Sequence, residues 1–399
     1  MESLCIKCKG KGLCGGPCRI LRAFQQHQPK PKTHFSGKSA PEIFVGRHNY
    51  PNVNTGILTP QDNDNLSNFP SAQEWSQNNF SIQNVLHLRS QLIYGRGKVN
   101  IKQSNNLLQT TQNLVLSSKP VSTEIHLYKK PTSQFNIDSV FQPMTNPAPL
   151  KSASLEENPY VPKKVDYLIN DVDAKATTAL NELYESNIKI DQLQKLLSCG
   201  LLGKKVSRRM VPTRWSITAT DDTISKQHLN KIRYYKPLQD IILFSGSYLG
   251  NHVYALLLPG MFSFEGIESW LSGSTYSADN IEFSQDHETF HGRKTYATNV
   301  QGGYYAMRLP LTEHLVKIKR QAQVLIFREI TEEYYAPLGV GIVREATKRA
   351  FKNTPQNFET IEQALKHISQ KIRAPIQAVQ QKSWLLNNYN KQKSILDFY

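Results

Sequence analysis

The sequence has no long apolar run, and no 18 consecutive apolar residues occur among its 399 residues. A helix that crosses a bilayer needs about 20 such residues, so no membrane span is expected. The first 30 residues are basic and rich in cysteine, and they lack the apolar core of a secretory signal peptide. We therefore expect an intracellular protein of the cytoplasm.

Acidic side chains are scarce, with 32 Asp and Glu against 48 Lys and Arg. The formal net charge is +16 and the isoelectric point is near 9.5. Such an excess favours a polyanionic partner, of which nucleic acid is the simplest. Charge alone does not indicate whether a particular base sequence is recognised.

Cysteines are few, and four of the five lie within the first 18 residues. Cys5, Cys8, Cys14 and Cys18 form the pattern C-x2-C-x5-C-x3-C. In a reducing compartment, four thiolates at this spacing suit a tetrahedral Zn²⁺ ion. Because protein ligands would fill all four positions, we predict a structural zinc site. A redox-active thiol cluster and a four-iron cluster are the alternatives.

The last eight residues follow the pattern Q-x-x-(aliphatic)-x-x-(aromatic)-(aromatic), formed by Gln392, Ile395, Phe398 and Tyr399. In one 3₁₀ turn, residues three apart lie on the same side, so Ile395 and Phe398 can form one apolar plug. The pattern resembles the PCNA-interacting peptide, which predicts a sliding clamp as partner. The alternative is a tail that docks on its own domain.

A basic stretch at 204–215 carries five cations in eleven residues, followed by one tryptophan. Cations neutralise phosphates, and an aromatic ring can stack on an unpaired base. The candidate nucleic-acid contacts are Lys204, Lys205, Arg208, Arg209, Arg214 and Trp215. The alternative is a solvated loop, with Trp215 in a half-buried strand.

Local patterns predict helices and strands but no regular βαβ alternation, and no internal repeat is present. We therefore predict an α+β fold with a mixed sheet and packed helices. An amphipathic helix is predicted over 174–197, a second from Ile361 to Ile372 and a weaker one over 376–386. The runs 241–248 and 253–258 predict a β-hairpin whose turn begins with Gly250.

Three further motifs each allow a catalytic and an ordinary interpretation. His287 to His291 matches H-E-x-x-H, which binds zinc when it is helical, but Gly292 and the strand-forming Thr289 and Phe290 argue against a helix. Asp221 and Asp222 could bind Mg²⁺ with Glu329, Glu332 or Glu345, or could begin a helix. The segment 200–205 favours a helix C-cap over a phosphate loop, and Cys199 before it is predicted to be a buried thiol.

The chain resembles the archaeal Nre family of DNA-repair proteins over nearly its whole length. The resemblance rests on the cysteines, the terminal motif, the basic stretch and the segments 41–56 and 302–309. It implies a C4-type zinc finger at Cys5, Cys8, Cys14 and Cys18 and a clamp-binding motif at Gln392, Ile395, Phe398 and Tyr399. It also implies a role in DNA damage repair with the archaeal clamp PCNA as partner. We therefore expect the cytoplasmic protein to be associated with the nucleoid. It brings no catalytic mechanism.

The length exceeds what one hydrophobic core usually organises, so several parts are expected. They are a zinc finger at 1–24, an α+β core domain at 25–275, a helical or mixed domain at 276–386 and a clamp-binding tail at 387–399. The leading hypothesis is a repair factor recruited to PCNA that contacts DNA through its basic surface. The alternatives are a Mg²⁺-dependent nuclease or other DNA-modifying enzyme, and an RNA-binding translation factor.

Overall fold

The computed structural model describes residues 7–8, 11–13, 16–26, 30–39, 41–61, 71–103, 105–275 and 280–389. The chain forms two compact units. The N-terminal unit contains Cys8–Ile224 and Pro337–Gly339, and the C-terminal unit contains Ser225–Ala336 and the residues from Val340 onward. Across the described ranges, no helix has both the length and the apolarity that crossing a bilayer requires.

The N-terminal unit is built on a six-stranded mixed sheet in the order β1-β5-β8-β4-β3-β2. Its strands are β1 (His34–Ser39), β2 (Ile43–Val45), β3 (Asn52–Pro60), β4 (Leu92–Asn100), β5 (Val121–Leu127) and β8 (Pro147–Leu155). The pairing of β4 with β8 is parallel and the other four pairings are antiparallel. A separate two-stranded pair is formed by β6 (Phe135–Asn136) and β7 (Met144–Thr145).

Seven described helices accompany this sheet. They are α1 (Arg19–Gln26), α2 (Ala72–Gln77), α3 (Ile82–Ser90), α4 (Asn106–Leu116), α5 (Lys163–Asn170), α6 (Ala176–Glu185) and α7 (Ile190–Ser198). The single helix predicted over 174–197 is therefore wrong, because two helices occupy this range. The break lies at Asn187, whose φ of 61° is left-handed, a conformation that asparagine tolerates better than most residues.

The end of α7 confirms the predicted C-cap. Gly200 has a φ of 69°, and the N–H of Leu201 donates to the carbonyl of Leu196 at 3.1 Å. This left-handed glycine closes the helix, which is a helix terminus and not a phosphate loop. Cys199 is fully buried as predicted, and burial raises the pKa of its thiol.

The C-terminal unit has a second six-stranded sheet, in the order β13-β12-β15-β11-β10-β16. Helix α8 (Thr213–Ile232) contains the division between the units. The strands that follow it are β9 (Lys236–Pro237), β10 (Ile241–Tyr248), β11 (Asn251–Leu258), β12 (Ser263–Trp270), β13 (Glu282–Glu288), β14 (Arg320–Gln321), β15 (Gln323–Ile330) and β16 (Gln356–Phe358). Within the sheet only β12 and β15 pair in parallel. The helices are α9 (Gly302–Ile318), α10 (Gly341–Lys352), α11 (Ile361–Ser369), α12 (Ile376–Lys382) and α13 (Trp384–Asn388). Mixed sheets with packed helices confirm the predicted α+β fold.

The predicted hairpin is present as β10 and β11, with its turn shifted by one residue. Tyr248 pairs with Asn251, so the two turn residues are Leu249 and Gly250, with φ of 49° and 71°. A two-residue turn in which both φ angles are positive matches the right-handed twist of the strands. The glycine is therefore second in the turn, whereas the sequence predicted it first.

One face of the second sheet carries the apolar core of the C-terminal unit. Ile267, Leu325 and Phe327 pack there against side chains of the last three helices, including Leu365 and Leu385. Each such side chain, when fully buried, contributes about 1.5–3 kcal/mol. The predicted helix from Ile361 is confirmed as α11, and the weaker pattern over 376–386 is divided between α12 and α13.

Candidate nucleic-acid interface

A groove with a volume of about 550 Å³ lies beside β10 in the C-terminal unit. Three of its lining side chains are cations and none is acidic. The lining residues are Ser245, Gly246, Ser247, His252, Tyr254, Arg349, Lys352, Asn353 and Lys371. Cations together with hydroxyl and amide donors are the groups that bind phosphate oxygens of nucleic acids.

The register between β10 and β11 determines which side chains form one wall of this groove. Ser245 pairs with Tyr254 and Ser247 pairs with His252 across the antiparallel β10 and β11. Because alternate residues of a strand share a face, these four side chains lie on the same side of the sheet. The wall therefore offers two serine hydroxyls and an imidazole.

Gly246 lets α10 come close to the other face of β10. A Cβ atom at this position would lie 2.6 Å from the backbone nitrogen of Ala350, a distance that side chains do not tolerate. The absence of a side chain lets α10 pack directly on β10. Two cations from the last turn of α10, Arg349 and Lys352, thereby line the groove.

Contacts among nearby side chains position Arg349 and Asn353, and the neighbouring tyrosine carries no charge. The Arg349 guanidinium lies 4.2 Å from the centre of the Tyr248 ring, and Asn353 Nδ2 donates to the Ser245 carbonyl at 2.8 Å. Burial, with a smaller contribution from the Glu329 charge, raises the pKa of Tyr254 to about 12. Tyr254 is therefore neutral at physiological pH and adds no negative charge near the cations.

The sequence alone does not predict this groove, because its lining residues come from several separate segments of the chain. The available indication was the density of cations in α10, where Arg344, Lys348, Arg349 and Lys352 fall within nine residues. Such a run is also typical of a solvated helix face. Only the packing of α10 on β10 distinguishes the two.

Two arginines of the basic stretch are engaged in holding the N-terminal unit together. Arg208 donates to the carbonyls of Gly203, Ile169 and Asp171 at 2.7–2.8 Å. Arg214 forms an ion pair with Asp138 at 2.5 Å. Donors directed at these acceptors are not presented to a phosphate, so these two residues have structural roles.

The rest of the basic stretch is exposed. Lys204, Lys205 and Arg209 are exposed, and Trp215 is 45% exposed in the first turn of α8. The strand interpretation of Trp215 is therefore wrong. Its ring centroid lies 5.4 Å from that of Tyr50, which is also exposed. Two exposed aromatic rings side by side can stack on unpaired bases.

Asp221 and Asp222 lie inside α8 and not at its beginning, so the helix-start interpretation is wrong. Asp221 is fully buried. Among the described residues, neither aspartate belongs to a group of three side chains spaced to hold a metal ion. Of the acids suggested as companions, Glu329 accepts the N–H groups of Arg373 and Ala374 at 2.8–2.9 Å, and Glu332 pairs with Arg373.

The H-E-x-x-H match is not helical. His287 and Glu288 end strand β13, and the following residues form a turn with Gly292 at a φ of 78°. Neighbouring strand residues point to opposite faces, so the Glu288 carboxylate meets Arg308 at 2.9 Å while the His287 ring stacks on Trp384. Zincin chemistry requires both histidines on one helical face, which this backbone does not provide.

Glu288 belongs to a buried ionic layer between the sheet and α9. The layer contains the ion pairs Arg308–Glu288, Arg328–Glu268 and Arg293–Asp286, and Arg328 also donates to Asn251 Oδ1. Burial raises the pKa of Glu268, and the Arg328 charge opposes that shift. Because a buried charge is costly without a partner, this layer fixes how α9 packs on the sheet.

The described cysteines of the amino-terminal cluster have the contacts of thiolate ligands. Leu13 N–H donates to Cys8 Sγ at 3.2 Å, and Leu21 N–H donates to Cys18 Sγ at 3.4 Å. Hydrogen bonds of this kind orient a ligand around a metal ion. Cys5 and Cys14 lie outside the described residues. The two described sulfurs therefore fit a zinc ligand set.

The clamp motif, Gln392, Ile395, Phe398 and Tyr399, lies outside the described residues, which end at residue 389. The chain just before it is anchored. The Glu265 carboxylate accepts the Ser383 hydroxyl and the N–H groups of Trp384 and Leu385 at 2.5–3.0 Å, at the first turn of α13. A carboxylate at a helix N-terminus is stabilising, so the tail begins from a fixed point on the C-terminal unit.

Two family models match the chain. The model described as archaeal Nre, N-terminal, matches residues 13–277, and the model described as archaeal Nre, C-terminal, matches residues 288–398. The predicted division at 275 lies close to the boundary between these models, whereas the compact units divide inside α8. The predicted domain boundaries stay a prediction.

Three similar proteins span almost the whole chain. DNA repair protein NreA of Archaeoglobus fulgidus is 36% identical, covering 92% of this chain and 93% of its own length. DNA repair protein NreA of Haloferax volcanii is 33% identical, covering 91% and 88%. DNA repair protein NreB of Archaeoglobus fulgidus is 31% identical, covering 99% of both chains. No solved structure matches this chain significantly.

Proposed function

Because the chain belongs to the archaeal Nre family, we propose that it acts in the repair of damaged DNA in the cytoplasm, at the nucleoid, and is recruited there by the sliding clamp PCNA. Similar proteins named as DNA repair proteins match it over nine-tenths of its length or more. Full-length similarity of this kind supports the same broad role. The finer parts of the proposal rest on the groove, the cysteines and the tail.

The groove beside β10 is the observation that carries DNA contact. Arg349, Lys352 and Lys371 line it without any acidic neighbour in the lining. Phosphate neutralisation by such cations releases counterions and is independent of base sequence. The groove therefore binds the DNA backbone, and the exposed Trp215 and Tyr50 rings of the other unit are available for an unpaired base.

Salt dependence tests the groove. In the double variant Lys352→Gln with Lys371→Gln, two phosphate contacts are lost, so the slope of log K against log salt should become shallower by about 1.8 on duplex DNA. The measurement is fluorescence anisotropy of the full chain with labelled DNA at several salt concentrations.

The matched control is Lys236→Gln with Lys294→Gln, which removes the same charge from exposed positions outside the groove. Equal changes of slope in both double variants would show that net charge alone drives binding, and the groove would lose its assignment.

The terminal motif is the proposed clamp contact. Ile395 and Phe398 would form one apolar plug, with Tyr399 beside them and Gln392 hydrogen-bonding to the clamp surface. Because the chain is anchored at α13, a weak peptide contact and weak phosphate contacts can act together with useful avidity.

A double truncation tests this contact. Phe398→Ala with Tyr399→Ala should abolish binding of the full chain to purified archaeal PCNA, without lowering its melting temperature, by calorimetric titration and thermal scanning. The control, Ser394→Ala with Asp397→Ala, changes the same tail but leaves all four motif residues. Unchanged clamp affinity in the first variant would refute the role of the motif.

The amino-terminal cysteines are proposed to hold one structural Zn²⁺ ion. Cys5, Cys8, Cys14 and Cys18 supply four soft ligands, and backbone N–H groups donate to the sulfur atoms of Cys8 and Cys18. A thiol-modifying reagent should release close to one equivalent of zinc from the purified chain. Release of iron with visible absorbance would indicate an iron–sulfur cluster instead.

A further inference from the structure

Three side chains in the N-terminal unit bring potential metal-ligand atoms together, far along the chain from the cysteines. One atom each of His34, Glu124 and His126 lies within 4.8 Å of the others. Glu124 Oε1 is 3.0 Å from His34 Nε2 and 3.3 Å from His126 Nε2. A single carboxylate oxygen therefore stands between two imidazole nitrogens.

Strand register produces this arrangement. His34 of β1 pairs directly with His126 of β5, and Glu124 lies two residues before His126 on the same face of β5. The rings of the two histidines stack with their centroids 4.1 Å apart and an angle of 12° between their planes. On the other face, Phe35 and Ile125 are buried in an apolar cluster, so the backbone that carries the three ligands is held by the core.

The donor set and its spacing suit a first-row divalent ion. Two imidazoles with one carboxylate are a ligand set for Zn²⁺ and for other transition ions. Donors at about 2.0–2.2 Å around a tetrahedral ion are about 3.4 Å apart, close to the 3.0 Å and 3.3 Å that separate Glu124 Oε1 from the two imidazole nitrogens. We propose that His34, Glu124 and His126 bind one divalent transition-metal ion, with Zn²⁺ as the expected occupant, at a site separate from the amino-terminal cysteines.

A neighbouring residue orients the carboxylate. Ser154 of β8 donates through its hydroxyl to Glu124 Oε2 at 3.3 Å, which leaves Oε1 directed at the two imidazoles. Such outer hydrogen bonds hold a ligand in its binding orientation.

The site faces solvent, because the His34 side chain is 59% exposed. Three protein ligands leave the fourth tetrahedral position open to water or to an oxygen ligand from outside.

Zinc titration of the full chain tests the proposal. The zinc bound by the cysteines is measured by its release with a thiol-modifying reagent. Calorimetric titration of the chain that still carries this zinc, with Zn²⁺ as the only added ion, should show one further binding event. His126→Ala and His34→Ala should each weaken that event by at least about 100-fold, since changes outside the ligand shell already cost 10–100-fold. Ser154→Ala should weaken it less.

His48→Ala is the matched control, because His48 is an exposed histidine of the same unit outside the cluster. It should bind Zn²⁺ as the unmodified chain does, and circular dichroism should show that all variants are folded. The proposal is overturned if the unmodified chain shows no additional event, or if His126→Ala binds as tightly as His48→Ala. Both outcomes leave the DNA and clamp tests unaffected.

Discussion

The C-terminal unit uses the same type of residue in two opposite ways. In the ionic layer between the sheet and α9, Arg308 and Glu288 are both completely buried and paired. In the groove beside β10, Lys352 and Lys371 line an open cavity whose lining contains no acidic residue. The difference teaches that burial and a fixed acidic partner give a cation a structural role, whereas lysines that line a groove without acidic residues can contact an anion.

The largest expected effect comes from breaking the ionic layer. Arg308→Met leaves the Glu288 charge buried without its partner, so the free energy of unfolding should fall by about 3–5 kcal/mol. Urea denaturation followed by circular dichroism measures this fall.

The control for this variant removes both charges. Arg308→Met with Glu288→Leu should recover most of the loss, because an apolar pair of similar volume replaces the ion pair. A single variant as stable as the unmodified chain would show that the layer contributes nothing to packing.

A smaller effect is expected at Gly246, where α10 packs closely on β10. Gly246→Ala places a methyl group against the α10 backbone and should lower the free energy of unfolding by about 1–3 kcal/mol. It should also weaken DNA binding, because α10 carries two of the groove cations. Gly266→Ala, which adds a methyl group against the Met307 side chain away from the groove, is the control, and equal DNA affinity in both variants would contradict the geometry.

An exposed ion pair provides the contrast to Arg308–Glu288. Arg373 and Glu332 are each more than half exposed, so Glu332→Gln should cost only about 0–1 kcal/mol. Hydrogen bonding from Arg373 lowers the pKa of Glu332, so its small contribution is present at neutral pH and is lost as the pH falls through that lowered pKa. Parallel urea titrations at neutral and acidic pH measure this; a loss comparable to that of Arg308→Met would contradict it.

The smallest effect on stability is expected in the groove itself. Lys352→Gln with Lys371→Gln should change the free energy of unfolding by no more than about 0.5 kcal/mol, because surface changes away from special contacts are nearly neutral. A larger destabilisation would mean that these lysines, like Arg308, serve the fold and not a ligand.

Local sequence patterns predicted correctly most of the features that depend only on residues close together in the chain. The helix α11, the C-cap at Gly200 and the buried Cys199 are present as expected, and the β10–β11 hairpin is present with its turn shifted by one residue. The errors also have local causes. The apolar spacing over 174–197 continues through a turn that Asn187 makes possible, and the alternating pattern after Trp215 fits a strand but lies in a helix.

The sequence by itself determined the positive charge, the cysteine spacing, the terminal motif and the family resemblance, because each is a property of composition or of short spacings. Only the tertiary structure decided that Arg208 and Arg214 serve the fold, that α10 and β10 form a cationic groove, and that His34 meets His126 across two strands. These arrangements join residues that are distant in the chain. Their positions depend on strand register and on which faces pack together, and no short spacing along the chain records either of them.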